Sequence, residues 1–303
     1  TVSTSTAGSK TLTSGGDNTS TTFSGVIQDG SGTLSLTKSG TGTLTLSGAS
    51  IYTGGTTISA GTLQIGAGST TGSITGAITN NAAIKFNRSD AYTYSSAISG
   101  TGTLEQAGSN TLTLSAANTY SGPTSITGGT LILSSSGTLG NSTSLLTITG
   151  ATLDIQNGLV TVGSLVMSGS SPQITTTTGT SSFTVSGTAT IANIVKTTGT
   201  QTYNGNITLG ADATMTGGLF SFSNVTSSGT YALSLLPYST SFTTTQSLTG
   251  LTIGSTLTGL TVGASGNTAD ITLPNAISIA GPINIYGGAI NVNNNVTTSS
   301  GDI

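Results

Sequence analysis

The sequence predicts an all-β chain, a parallel β-solenoid (β-helix) of about 19 residues per coil, and three observations carry that expectation. Apolar residues come in alternate pairs, such as Leu44/Leu46 and Leu63/Ile65. A long segment repeats internally. Glycine, serine, threonine and asparagine fill nearly everything between the pairs. An apolar-x-apolar pair marks a short strand with one buried face, because side chains alternate across a strand. The small polar residues between pairs suit tight turns, where glycine and asparagine tolerate positive φ. Helical periodicity is missing along the chain.

The repeat sets the period. GTGTLTLSGASIYTGGTTISAGTLQI from Gly40 returns from Gly108 as GSNTLTLSAANTYSGPTSITGGTLIL, without a gap. Leu44 matches Leu112, Leu46 matches Leu114, Tyr52 matches Tyr120, Gly54 matches Gly122, Gly61 matches Gly129 and Leu63 matches Leu131. Self-similarity of this kind signals a solenoid or array. Within each copy the strong pairs recur at one interval, from Leu44 to Leu63 and from Leu112 to Leu131. Toward the other end the pairs Ile271/Leu273, Ile277/Ile279, Ile283/Ile285 and Ile290/Val292 step by six or seven positions. Three such steps give the same interval, which describes three strands and three turns per coil. Steps this short are too tight for the strands of antiparallel sandwiches, whose turns come every 8–12 residues. The expected organisation is a solenoid over 1–230 holding the repeats 40–66 and 108–134, an irregular loop or junction at 231–247, and a solenoid continuation over 248–303. Asn284, Asn291 and Asn293 to Asn295 are expected in side-chain ladders. At about 4.8 Å per strand, roughly 15 coils make a stack of roughly 75 Å.

Composition removes most chemistry. The 303 residues include 45 glycines and about 110 serines and threonines, with no cysteine, histidine or tryptophan. No Cys nucleophile, disulfide, Cys/His metal site or histidine acid–base pair can be built from them. Charged residues are 4% of the chain, and five Lys plus Arg stand against eight Asp plus Glu, a net charge of −3. That leaves no basic patch for phosphates, so no nucleic-acid partner is expected. Disorder is disfavoured by the low charge, the five prolines and the regular alternation. No run of 18 apolar residues exists, so no membrane-spanning helix is expected. The opening residues carry no signal-peptide pattern, so a secreted chain would have lost its leader before residue 1.

The residues that carry the repeat resemble a family. GTLTLSG at Gly42 to Gly48, the Tyr-x-Gly at Tyr52 to Gly54 and the Gly-Thr-Leu at Gly61 to Leu63 look like the autotransporter-associated β-strand repeat of bacterial passenger proteins. The second copy is looser, with Asn110 for Gly42 and Ala116 for Gly48. The stretch from Gly266 is similar to repeats of giant surface adhesins of gliding bacteria. These resemblances cover about a third of the chain. They imply a right-handed parallel β-solenoid on the cell exterior, acting as stalk, adhesin or filament, with no catalytic motif to carry over. A membrane barrel, which would follow an autotransporter passenger, has no counterpart in the sequence. The ending SSGDI reads as the start of another turn and strand, as in a segment of a longer protein or an end covered by another copy.

Enzymatic readings are weak on residue grounds. Polysaccharide cleavage needs paired carboxylates, or calcium with a base, and the eight acids are scattered. Asp29 in QDGSG does not recur and cannot by itself build a calcium site. No cofactor or metal is expected. The one concentration of varied side chains is Lys85, Arg88, Asp90, Tyr92 and Tyr94, around the only arginine of the chain. It reads either as a surface-binding patch whose tyrosines stack on sugars or a protein partner, or as a loop whose charges pair locally and shield a sheet edge. Tyr52 and Tyr120 recur with the repeat and read as structural. The expected function is an extracellular structural protein that builds a filament or adhesin stalk by stacking of coils, without catalysis. Its expected partners are itself, end to end as a homopolymer, or adjoining repeats. The alternative is an adhesin passenger binding surface glycans.

Overall fold

The computed structural model describes residues 1–253 and 256–299. Among them there is no helix, and every strand pairing is parallel. Strands of two to twelve residues follow one another around a coil, and each pairs with the strand about one coil onward. The chain divides into two compact units, Thr1–Ser144 and residues 145 onward.

In the first unit, one wall stacks Lys10–Ser14, Leu34–Lys38, Thr56–Ile58, Ile78–Asn80 and Ile98–Ser99. A second stacks Thr21–Phe23, Thr43–Leu46, Thr62–Ser69, Ala83–Arg88, Thr103–Gln106 and Thr124–Ile126. A third holds Tyr92–Tyr94, Thr111–Leu114 and Thr130–Leu133. The second unit has the same plan. Its C-terminal apolar pairs are four successive strands, and the fourth, Ile290–Val292, returns onto the first, Ile271–Leu273. Coil length is not uniform. Leu44 pairs with Leu63 and Ala189 with Ile207, which are close intervals, whereas Leu235 reaches its partner only at Val262.

Inward residues form the core ladders, and Leu44, Leu46, Leu63, Ile65, Leu112, Leu114, Leu131 and Leu133 are all buried. Each coil encloses only one layer of side chains, so a polar group placed inside must bring its own partner. Thr56 and Thr124 interrupt the ladders at equivalent positions, stacked on Leu36 and Leu104. The fully buried Tyr52 and Tyr120 donate to or accept from those hydroxyls at 2.6 Å in both copies. The recurring tyrosine is therefore the partner of the recurring threonine. The glycine between them has its own reason, because a Cβ on Gly122 would lie 2.3 Å from the Gly102 carbonyl oxygen of the coil below. Gly61 and Gly129 turn the chain at positive φ, +65° and +52°, where a side chain is strained.

The two copies do not sit on the same wall. Their offset, Leu44 to Leu112, is not a whole number of coils, so Thr43–Leu46 belongs to the second wall while its equivalent, Thr111–Leu114, belongs to the third. The strand that copy one stacks toward on its own wall is Thr103–Gln106.

Several expectations change against this geometry. The zone from Lys85 to Tyr94 is two regular strands joined by a short turn, since its inward residues Phe86 and Tyr94 fill the ladder. Within 231–247, Ala232–Pro237 is a regular strand paired on both sides, so the loop narrows to 238–245. Asn284 and Asn291 stack against Thr261 and Thr272, so those ladders are mixed amide and hydroxyl. Of the SSGDI ending, residues 300–303 lie outside the described residues.

Removing the Tyr120 hydroxyl should strand a buried donor and acceptor on Thr124. Tyr120→Phe is expected to cost about 1–3 kcal/mol, and adding Thr124→Val should recover most of it. Thermal unfolding of the single and double variants checks the coupling, and additive losses would refute it.

Candidate functional site

The five residues singled out by the sequence form a clasp across coils. Lys85 faces outward from Ala83–Arg88, and its ammonium meets Glu105 one coil on, at 3.2 Å. Glu105 also accepts from the Thr127 hydroxyl at 3.0 Å. Arg88 holds Asp90 through two hydrogen bonds, Nε to Oδ1 at 2.9 Å and Nη2 to Oδ2 at 2.8 Å. The same guanidinium donates to the carbonyls of Gly72 and Thr70 and lies 4.8 Å from the centre of the Tyr92 ring. It thereby ties down the chain over 70–72, just past the register shift between Ile65 and Ser69. Neighbouring Arg88 holds the Asp90 carboxyl below the ordinary carboxylate value.

The tyrosines turn inward. Tyr94 is 2% exposed, packs 5.8 Å from Phe86, and donates its hydroxyl to the Gly76 carbonyl. Tyr92 is half-buried and donates to the Ile74 carbonyl at 3.0 Å. Burial raises both phenols above their ordinary value. The ring of Tyr94 thus has no face to offer a ligand, and Tyr92 has one face under Arg88. Arg88 pairs with Asp90 and Lys85 with Glu105, from regular strands and the turn between them rather than from a long loop. Glu105 belongs with this group, and its separation of 20 from Lys85, one coil, was the sequence signal for it.

Other charged groups also do structural work. Asp29 accepts from the Leu34 N–H at 2.7 Å, and from the Thr53 hydroxyl at 2.6 Å and N–H at 3.3 Å one coil above. Asp154 holds Thr177 in the same way, at 2.6 and 3.0 Å. Asp212 and Asp270 accept from the N–H groups of Ala232 and Ala289, both at 2.8 Å. The buried Lys38 donates to three carbonyls, Ser39 at 2.6 Å, Gly40 at 2.8 Å and Ala60 at 3.1 Å, and desolvation lowers its ammonium's pKa. Gln106 occupies the equivalent position in the second copy and caps Gly108 and Asn110 with its amide, at 3.0 and 3.1 Å. Among the described residues, no three acidic side chains gather as a metal site would require.

Two outcomes follow from this arrangement. Arg88→Met should free the segment 66–73, read as faster amide exchange there than in the core strands; unchanged protection would refute the clasp. The second concerns alkali. Tyr52, pushed up to about 12 chiefly by burial, stays neutral in the folded chain at a pH where the unfolded phenol, with its ordinary value of 10.0, has ionised. Tyr94, Tyr120 and Tyr203 are raised for the same reason. The unfolded state then binds fewer protons, so stability is full below pH 10 and falls as the pH rises above it. The midpoint of thermal unfolding should be flat up to about pH 9 and drop beyond. A flat profile to pH 12 would contradict the buried phenols.

Comparison with known proteins places the repeat. The Passenger-associated-transport-repeat family matches residues 36–65 and 104–133. These are the two segments whose tyrosine, threonine and turn glycines are described above. The adhesin BmaC autotransporter of Brucella suis biovar 1 (strain 1330) is 43% identical over 101 residues, which is 33% of this chain and 3% of that protein. The chain thus corresponds to a small fraction of the length of that relative. No solved structure matches it. The chain carries the repeat of autotransporter passenger proteins twice, built into a parallel β-solenoid.

Proposed function

We propose that this chain is a stalk-forming segment of an extracellular bacterial adhesin, rigid along its coils and without catalytic activity. The observation that carries the reading is the use made of its ionisable side chains. Asp29, Asp154, Asp212 and Asp270 clasp neighbouring coils, Lys85 pairs with Glu105, Arg88 with Asp90, and Lys38 caps a turn. Acid–base chemistry needs a group held near a substrate with its proton available, and groups committed to backbone partners are poorly placed for it. The passenger repeat and the likeness to an autotransporter adhesin support a role outside the cell.

A second reading is growth by end-to-end stacking. Its support is the low charge of the chain, 4% of its residues, and outward hydroxyl and amide ladders such as Thr272 on Asn291, which suit stacking of like coils. A head-to-tail contact of this kind produces an open fibre.

Beads coated with the chain should hold to bacterial or host cells above an uncoated control. Electron micrographs should show separate rods whose length does not change with concentration. Filaments that lengthen with concentration would favour the second reading, and round particles would overturn both.

A further inference from the structure

One wall of the second unit presents an outer face that the packing does not use. It stacks Gln173–Thr175, Ala189–Lys196, Asn206–Gly217, Ala232–Pro237, Gly259–Val262 and Ile283–Ile285. Thr214, Ser234 and Thr261 are successive outward positions in one register. Their hydroxyls therefore follow one another at about 4.8 Å. Beside that column, Lys196 projects from its strand and its ammonium sits 5.6 Å from the centre of the Tyr238 ring. Tyr238 and Tyr286 are 43% and 45% exposed, whereas Tyr52, Tyr94, Tyr120 and Tyr203 are buried. They follow strands two steps apart on this wall, Ala232–Pro237 and Ile283–Ile285. That places them about 10 Å apart along the stack.

We propose that this face binds an extended acidic polysaccharide, a chain of carboxylate-bearing pyranose rings. The inference rests on the adhesin reading and names its ligand class. One sugar ring lies on the face of Tyr238 that Lys196 leaves open, with its carboxylate meeting that ammonium, a second ring lies on Tyr286, and the hydroxyls of the chain exchange hydrogen bonds with Thr214, Ser234 and Thr261. Each part follows from the chemistry of the residues. The axial C–H face of a pyranose is apolar and packs on an aromatic ring, while its rim is hydroxylated and needs partners at short, regular intervals. Threonine and serine supply both donor and acceptor, so a ladder of them accepts any local orientation of the sugar. Among the described residues no carboxylate lies within ion-pair distance of Lys196, whose ammonium lies over the Tyr238 ring. An arriving carboxylate completes that pair. The acids on these coils, Asp212 and Asp270, already accept from backbone N–H groups. A peptide of acidic residues alone would satisfy Lys196 but has no ring to lay on the two tyrosines.

Affinity electrophoresis of the full chain through gels containing polygalacturonate tests the proposal, with amylose and poly-glutamate gels alongside. The expected result is retardation by polygalacturonate above that by either other polymer, weakened about tenfold in affinity by each of Lys196→Met, Tyr238→Ala and Tyr286→Ala, at the ordinary scale of a cation or ring contact. The circular dichroism of each variant should match the parent, since all three side chains are outside the core. Absence of retardation, equal retardation of parent and variants, or poly-glutamate binding as tight as polygalacturonate would overturn it, the last assigning the face to an acidic peptide. The adhesin reading is separable. Beads carrying the triple variant that still hold to cells would remove this face and leave that reading standing. Parent beads that fail to hold to cells while the polygalacturonate shift persists would do the reverse.

Discussion

The fold depends on one constraint, that each short coil encloses a core a single side chain deep. Parallel ladders satisfy the backbone between coils, but nothing inside the coil can satisfy a misplaced polar side chain except another side chain of the same or the next layer. The sequence meets this in three ways. Tyr52 and Tyr120 supply hydroxyl partners to Thr56 and Thr124. Lys38 and Gln106 fold back onto carbonyls at the turns. Gln246 uses its amide on both the N–H and the carbonyl of Phe220, standing in for a strand neighbour. A charged amine and a neutral amide can exchange at equivalent positions because the requirement is for N–H donors in that corner. Burial disfavours the charge, which is the cost carried by the lysine copy.

The repeat unit and the structural unit are different things. The offset between the copies turns the second by one wall, so equivalent residues face different directions around the stack. What the repeat preserves is local: a strand, a turn glycine that admits the carbonyl below, and the Tyr–Thr pair. Each wall can host it because each is a parallel ladder with the same spacing. This explains how two similar segments coexist with coils of unequal length elsewhere, since stability in a stack is summed over neighbouring layers and tolerates unequal loops.

Most of this architecture was legible in the sequence, for physical reasons. Alternation of apolar residues reports burial directly, so Leu44/Leu46 and Ile271/Leu273 announced strands, and the structural role of Tyr52 and Tyr120 followed from their recurrence. Side-chain partners one coil away were harder, because they depend on knowing each coil's length. Lys85 and Glu105 are 20 apart and could have been paired; Asp29 with Thr53 at 24 could not, without the structure. The grouping of Lys85 to Tyr94 was visible as unusual chemistry, but composition does not say which way a ring points. Tyr94 lies on the inward parity with Phe86 below it, and that parity needed the strand's register.

That same parity decides where recognition can occur. When most of the acids and cations among the described residues serve as clasps, the groups left to meet a partner are those at outward positions with no neighbour to hold. Hydroxyl columns fulfil that description on several walls, and by themselves they resemble solvent-facing surface. The wall ending at Ile283–Ile285 differs in having rings and a cation beside such a column. An exposed aromatic ring contributes nothing to the ladder at its own position. Gly263 follows the strand that lies between those leading into Tyr238 and Tyr286, at a positive φ of +81° where a Cβ would lie 2.1 Å from the Tyr286 carbonyl oxygen. A stack that obtains its stability from backbone ladders and inward side chains can vary such a face from coil to coil without disturbing the core, which is why the proposed ligand face is sought on the outside of a wall.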